Sequence, residues 1–333
     1  MMLNRRHAVS LIAAGFGAIT LPRATQAQPD PRRLRVIIDN DLSGDPDGLF
    51  QLAQHLRSPS VEIRAIIGSH LHEKEPFDPS DQQAANAAAK ANELLALMNL
   101  AGQVPVIAGA EKGLASPARP AITPAAQAII TEALRDDPRP LYYCAGAGLT
   151  DLATAWLIEP RIAERLTLVW IGGAEHKGLA LPPPGAPPAE YNLTIDRIAA
   201  QVIFNRSSIT IWQVPRNAYR QMLVSSAELA ELKAGSALGA WLVGHVERLA
   251  AMASGAGLTI GETYILGDSP LVTLTALQSS FEPDPSSSEY VVRATPHIAE
   301  DGLYRANPKG RPMRIYTRID TRLTFADMSA KLK

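Results

Sequence analysis

The run Val36-Ile37-Ile38-Asp39-Asn40-Asp41-Leu42-Ser43-Gly44-Asp45-Pro46-Asp47-Gly48 decides how this chain is read. Its first three residues are apolar and β-branched, the composition of a strand buried on both faces. Four carboxylates, Asp39, Asp41, Asp45 and Asp47, then follow within nine residues at the end of that strand. Carboxylates this close repel one another and lose hydration when partly buried, so such a cluster calls for a cation. Ligation by carboxylate and carbonyl oxygens suits calcium or magnesium rather than zinc. The plainer alternative is a solvated turn in which Asp47 caps the next helix. Four acids directly after a buried strand are more than a turn needs. The spacing is not that of an EF-hand, which wants acids at alternate positions and a terminal Glu.

Outward from this run, apolar β-rich segments alternate with helical patterns. Residues 34–38, 61–67, 104–107, 141–144, 166–171 and 209–214 read as strands. Residues 48–57, 82–98, 124–134, 149–157 and 195–204 read as helices between them, with Thr123 as N-cap and Pro124 in the first helical position of the third. The stretch 225–254 is mostly helical, and the last strands fall at 290–294 and 313–317. This alternation predicts an α/β fold: a single Rossmann-like domain with a largely parallel central sheet and helices on both faces. In such sheets ligands bind beyond the carboxyl ends of the strands, where this chain places its acids.

The 333 residues are 46% hydrophobic and 20% charged, an ordinary globular balance. Arg5-Arg6, the apolar stretch from Ala8 to Leu21 and the small-residue site at Ala24 to Ala27 form an export leader over residues 1–27, of twin-arginine character. Residues 28–33 read as a linker and 34–333 as the domain. The expected protein is therefore periplasmic or secreted, with no membrane attachment once the leader is removed. Without that leader 29 basic side chains face 33 acidic ones, which gives no electrostatic footprint for nucleic acid. The single cysteine, Cys144, excludes an internal disulfide and reads as a small core residue.

The acidic run resembles the N-terminal signature of the inosine/uridine-preferring nucleoside hydrolase superfamily: strand, Asp-x-Asp, glycine turn, Asp-Asp, helix. Asp39 and Asp41 match the Asp-x-Asp, Asp47 matches the first of the Asp pair, and Gly48 replaces the second. Further segments follow in the family's order. Val104 to Ala110 resembles the third-strand segment, and Gly146 to Ala153 is similar to the Gly-x-Leu-Thr-Asn-Leu-Ala turn. Trp170 to Ala174 resembles the Met-Gly-Gly strand end. Ala189-Glu190-Tyr191-Asn192 is similar to an Ala-Glu-Phe-Asn segment, and Leu266 to Leu271 resembles a His-Asp-Pro-Leu helix start in which Gly267 replaces the His.

The resemblance implies calcium held by Asp41, Asp47, the Gly146 carbonyl and Asp268, with Asp45 as the acid available to make up for Gly48. It implies Asp41 as general base, and Asp47, Glu190 and Asn192 as sugar-binding residues. The implied substrate is a small nucleoside or related glycoside, and the implied assembly a homo-oligomer. Leaving-group activation is open once the His is gone: His70, His72, Tyr219 and Tyr264 are candidates. His55, His176, His245 and His297 have no supporting context. The simpler roles are an Asp268 helix cap, an Asn192 helix cap and a surface Glu190. Other glycosides, or a calcium- and carbohydrate-binding protein without turnover, are the alternative functions.

Overall fold

The computed structural model describes residues 32–259, 261–278 and 287–333; the leader expected over residues 1–27 lies outside them. The chain begins β1 (Leu34–Asn40), α1 (Asp47–Leu56), β2 (Val61–Gly68), α2 (Gln83–Leu97), β3 (Val106–Ala108) and α3 (Pro124–Ala133). It continues β4 (Leu141–Ala145), α4 (Thr150–Ile158), β5 (Thr167–Ile171), α5 (Tyr191–Ile195), α6 (Arg197–Gln201), β6 (Thr210–Val214) and α7 (Arg216–Tyr219). Then come β7 (Leu223–Ser225), α8 (Ser226–Gly235), α9 (Ala237–Gly255), β8 (Thr263–Ile265) and α10 (Pro270–Thr273). The last elements are β9 (Glu289–Ala294), β10 (His297–Ile298), β11 (Tyr304–Arg305), β12 (Pro312–Arg318) and α11 (Thr321–Leu332).

The main sheet has the order β3-β2-β1-β4-β5-β6-β12-β9. Every pair is parallel except the antiparallel β12–β9 edge. Alternate residues of β1 point to opposite faces. Val36 and Ile38 join a core with α1, α2, α8 and α11, while Ile37 joins the second core with α3, α4 and α6. The helices therefore cover both faces, and the described residues form one compact unit.

The sheet grows from β1 in two directions: β2 and β3 lie on one side, β4 and its successors on the other. The crevice outside the carboxyl ends of β1 and β4 is the topological switch point, the place where parallel α/β sheets open to ligands. Gly146 N donates to Asp39 O at 3.0 Å and Ser69 N to Asn40 O at 2.9 Å, so the three strand ends are tied at this crevice.

Several local features differ from the sequence reading. The helix expected over 195–204 is broken at Asp196. That carboxylate caps Ala199 N at 2.9 Å and also accepts from Leu114 N at 2.7 Å and Thr150 Oγ1 at 2.8 Å. The helical stretch 225–254 is two helices, because Ser236 restarts it by accepting from Gly239 N at 2.9 Å. The C-terminal α11 and the β7–β8 pair were not expected; α11 buries Thr324, Met328 and Leu332, a stripe with few apolar members. The Thr123 cap is present, its hydroxyl accepting from Ala126 N at 3.0 Å. No helix among the described residues is long and apolar enough to cross a membrane.

Candidate active site

A cavity of about 320 Å³ opens at the switch point, within the size range of small-ligand pockets. Asp41, Asp45, Asp47, Gly146, Glu190, Asn192, Tyr219 and Asp268 line it, with Leu71, Phe77, Ile171, Tyr191, Ile265 and Gly267. No lysine, arginine or histidine lines this wall among the described residues. The structure thus gathers at one cavity acids from the β1–α1 loop, the segment before α10 and the start of α5.

Asp41 is buried, and its pKa is pushed well above the ordinary carboxylate range by that burial, then by the charges on Asp268 and Asp45. Asp268 is buried too and raised to about 7, first by burial; the Asn40 donor opposes the shift. Asp45 is the most exposed of the four and accepts from the Tyr264 hydroxyl. Asp47 accepts from Gly48 N at 2.8 Å and from Asp268 N at 3.1 Å, which ties the α1 start to the α10 segment. Asp39 points away from the cavity and accepts from the Ser69 and Tyr143 hydroxyls.

The cap alternatives do not hold for Asp268 or Asn192. The residue before α10 is Ser269, with no side-chain cap, and Asp268 turns its carboxylate to Asn40. The α5 cap is Glu190, not Asn192: Glu190 Oε2 accepts from Leu193 N at 3.1 Å and Gly173 N at 2.6 Å. Burial raises the Glu190 pKa. Gly173 takes φ +85°, and a Cβ there would lie 2.1 Å from Tyr304 Oη, so the Gly-Gly strand end is required by shape. Asn192 Nδ2 donates to Gly146 O at 3.0 Å and Ile171 O at 2.8 Å. Both amide hydrogens are spent, so Oδ1 is what Asn192 has left for a ligand hydroxyl.

The leaving-group candidates fare unevenly. His70 is buried beneath the neighbouring groove, with Leu71 O at 2.9 Å and Thr150 Oγ1 at 3.0 Å from its ring nitrogens. His72 lines that groove, 3.2 Å from Thr194 Oγ1 and edge-on to Tyr191. Tyr264 is buried behind Asp45 and does not line the cavity. Tyr219 does line it, but its hydroxyl donates to Glu190 Oε1 at 2.9 Å. At position 267 a Cβ would lie 3.1 Å from Asp47 Oδ2 and 3.4 Å from the Tyr219 ring. The place a histidine would occupy is thus bordered by the acids and Tyr219.

Sequence reasoning missed Asn40, Leu71, Phe77 and Tyr191. Phe77 and Tyr191 carry a signal only in three dimensions: they are large aromatic side chains left 40% and 41% exposed at the cavity rim.

No three acidic, histidine or cysteine side chains among the described residues converge as a ready-made metal cage. The donors nevertheless suit a hard divalent cation in kind, being oxygen only, mutually repelling and without a lining basic residue.

The model of the family described as inosine-uridine preferring nucleoside hydrolase matches residues 36–322. Two curated nucleoside hydrolases of that description are similar over a shorter stretch. The Leishmania major protein is 38% identical over 84 residues and the Crithidia fasciculata protein 37% over 87 residues. Each alignment spans about a quarter of this chain and 25% of the relative. Among solved structures, a plant nucleoside hydrolase superposes with TM-score 0.69 at 19% identity, over 90% of this chain and 99% of the other. A nucleoside hydrolase from Bacillus anthracis gives 0.65 at 18%, with the same coverage. At that identity these likenesses speak for the fold. By the family model, which spans most of its length, this chain belongs to the inosine-uridine preferring nucleoside hydrolase family.

Proposed function

We propose that the protein hydrolyses the N-glycosidic bond of ribonucleosides or a related ribosyl compound, in a calcium-dependent reaction that yields free sugar and base. The observation that carries this reading is the single cavity shared by Asp41, Asp47, Asp268, Glu190 and Asn192. Asp41, Asp45, Asp47, Asp268 and the Gly146 carbonyl are the groups that would hold the ion. Gly146 O accepts from Asn192 and keeps a second lone pair. Bound there, calcium supplies positive charge that eases deprotonation of a neighbouring water.

Asp41 takes the proton of the attacking water as general base. The water oxygen bonds to the anomeric carbon while the carbon–nitrogen bond breaks and its electron pair leaves with the base. Glu190 and Asn192 orient the sugar through its hydroxyls, with Asp47 on a further hydroxyl. The surrounding carboxylates stabilise the positive charge that grows on the sugar ring, as in glycoside hydrolysis. With the leader expected over residues 1–27, this chemistry would take place outside the cytoplasm, on nucleosides or other ribosides met there.

Among the described residues, no histidine lines the cavity to protonate the departing base. The two hydroxyl donors on the cavity wall are committed, Tyr219 to Glu190 and Tyr191 to Glu75 Oε2 at 2.7 Å. A general acid contributes about 10²–10⁴-fold, so the rate should depend steeply on how well the leaving group departs unaided. We expect 4-nitrophenyl ribofuranoside to be cleaved at least about 10²-fold faster in kcat than uridine or inosine. Nitrophenolate absorbance and reducing-sugar release would measure the two. Equal rates would place an acid on the leaving group after all, and no release from any riboside would remove the riboside-hydrolase reading.

A further inference from the structure

Behind the acidic cavity runs a buried chain of hydrogen-bonded polar side chains. It starts at Thr275, whose hydroxyl donates to Leu271 O. A hydroxyl has one hydrogen, so Thr275 Oγ1 faces His55 Nε2, 2.9 Å away, as an acceptor. His55 is fully buried and neutral, its pKa pushed down to about 3 by burial and then by Lys331. Its single N–H therefore lies on Nε2, and Nδ1 accepts from Gln51 Nε2. Gln51 is left with Oε1 toward Asn40, whose Nδ2 donates to it at 3.2 Å. The second hydrogen of Asn40 Nδ2 goes to Asp268 Oδ2 at 2.8 Å.

Asn40, Gln51 and Thr275 show no solvent exposure. The Asn40 amide lies between two glycines. A Cβ at Gly48 would come within 2.8–3.0 Å of the amide atoms. One at Gly146 would lie 2.5 Å from Asn40 Nδ2 and 2.6 Å from Asp268 Oδ2. Gly48, where the family resemblance expects a second aspartate, is thus the residue that makes room for Asn40. The amide Oδ1 is buried with no hydrogen-bond partner, so Asn40 is held by its NH₂ end and by packing alone.

We propose that Asn40, Gln51, His55 and Thr275 form a positioning relay that holds the Asp268 carboxylate in one orientation at the cation site, with the Asn40 amide in the space that a side chain at position 48 would need. The inference rests on the reading of Asp268 as a cation ligand. Outer partners of metal ligands are worth about 10–100-fold in metal affinity, which is the effect the relay should carry. Thr275 does not line the cavity and reaches Asp268 by two routes, through His55, Gln51 and Asn40 and along α10 through Leu271, whose N donates to Asp268 O at 3.0 Å. Gln51→Leu and Asn40→Leu break the first route alone.

The test is calcium titration calorimetry on the purified protein and on Gln51→Leu, Asn40→Leu, Thr275→Val and Thr275→Ser. It is paired with imidazole ¹H–¹⁵N spectra in which His55 is assigned through His55→Gln. The expected result is a neutral His55 protonated on Nε2, and calcium binding weakened about 10–100-fold in Gln51→Leu and Asn40→Leu. Thr275→Val should lose the single tautomer and weaken calcium, while Thr275→Ser, which keeps the hydroxyl in a smaller side chain, restores both. A packing role alone would leave the serine variant no better than the valine one. Variants that bind calcium within about twofold of the parent, or His55 protonated on Nδ1, would overturn the relay and leave the cation site standing. A parent protein that binds no calcium would overturn both.

Discussion

Asp41→Asn is expected to lower kcat by about 10²–10⁴-fold while the protein keeps its fold, the range a lost general base spans. The carboxylate stands at the end of β1, buried, where the turn after the strand aims it into the cavity rather than into solvent. Asparagine matches its shape and can occupy the same place, but it cannot take a proton from water. Asp41 is also one of the groups that would hold calcium, so the variant must be assayed at saturating calcium. A loss that persists at saturation belongs to the base; a loss that vanishes there would reduce Asp41 to a ligand. Steady-state rates against calcium concentration separate the two.

The second large effect is on stability. A ligand bound by the folded state alone stabilises it by mass action, about 4 kcal/mol when its concentration is a thousandfold above Kd. Calcium in millimolar excess should therefore raise Tm by several degrees, EGTA should reverse it, and Asp268→Ala should abolish the response. The sign of the pH dependence follows from the raised carboxylates. In chelated protein Asp268 has a folded pKa of about 7 against 3.8 for the ordinary side chain. The folded state then holds a proton that the unfolded chain has released, so its contribution to stability is present below pH 4 and is lost as pH rises through about 7. Calcium needs the same carboxylate ionised. The gain in Tm on adding calcium should therefore be larger at pH 8 than at pH 5, as differential scanning calorimetry would show. A calcium response independent of pH would contradict the assignment of these carboxylates as ligands.

Much of this architecture could be read from residues that act locally. The apolar run into Asp39 marks a central strand because nothing but burial on both faces explains it. The Thr123-Pro124 pair marks a helix start because each residue solves a problem of the first turn. The break at Asp196 was hidden, since it depends on Leu114 and Thr150 reaching that carboxylate from elsewhere in the chain. The α11 helix was hidden because its buried stripe is sparse.

The site divides in the same way. Acids at strand ends are legible, because a parallel sheet brings strand ends together whatever the loops do. His70 and His72 looked well placed after β2, yet the chain turns them into the groove beside the acids. His55 had no context in the sequence because its partners are Gln51 one helical turn before it and Thr275 more than two hundred residues later. Asn40 sits between two of the acids in the opening run and reads as a spacer. Its role is visible only when Gly48, Gly146 and Asp268 close around it.

The most direct measurement is release of free ribose, alongside free base, when the purified protein is incubated with inosine, uridine, adenosine, cytidine and 4-nitrophenyl ribofuranoside, with calcium and with EGTA. Equimolar sugar and aglycone from at least one of them, abolished by EGTA and restored by calcium, is the result this account expects. Release that ignores the chelator would contradict the role given to the carboxylate cluster. No release from any riboside, with calcium still raising the melting temperature, would contradict the riboside reading and point to another glycoside or to a calcium- and carbohydrate-binding protein.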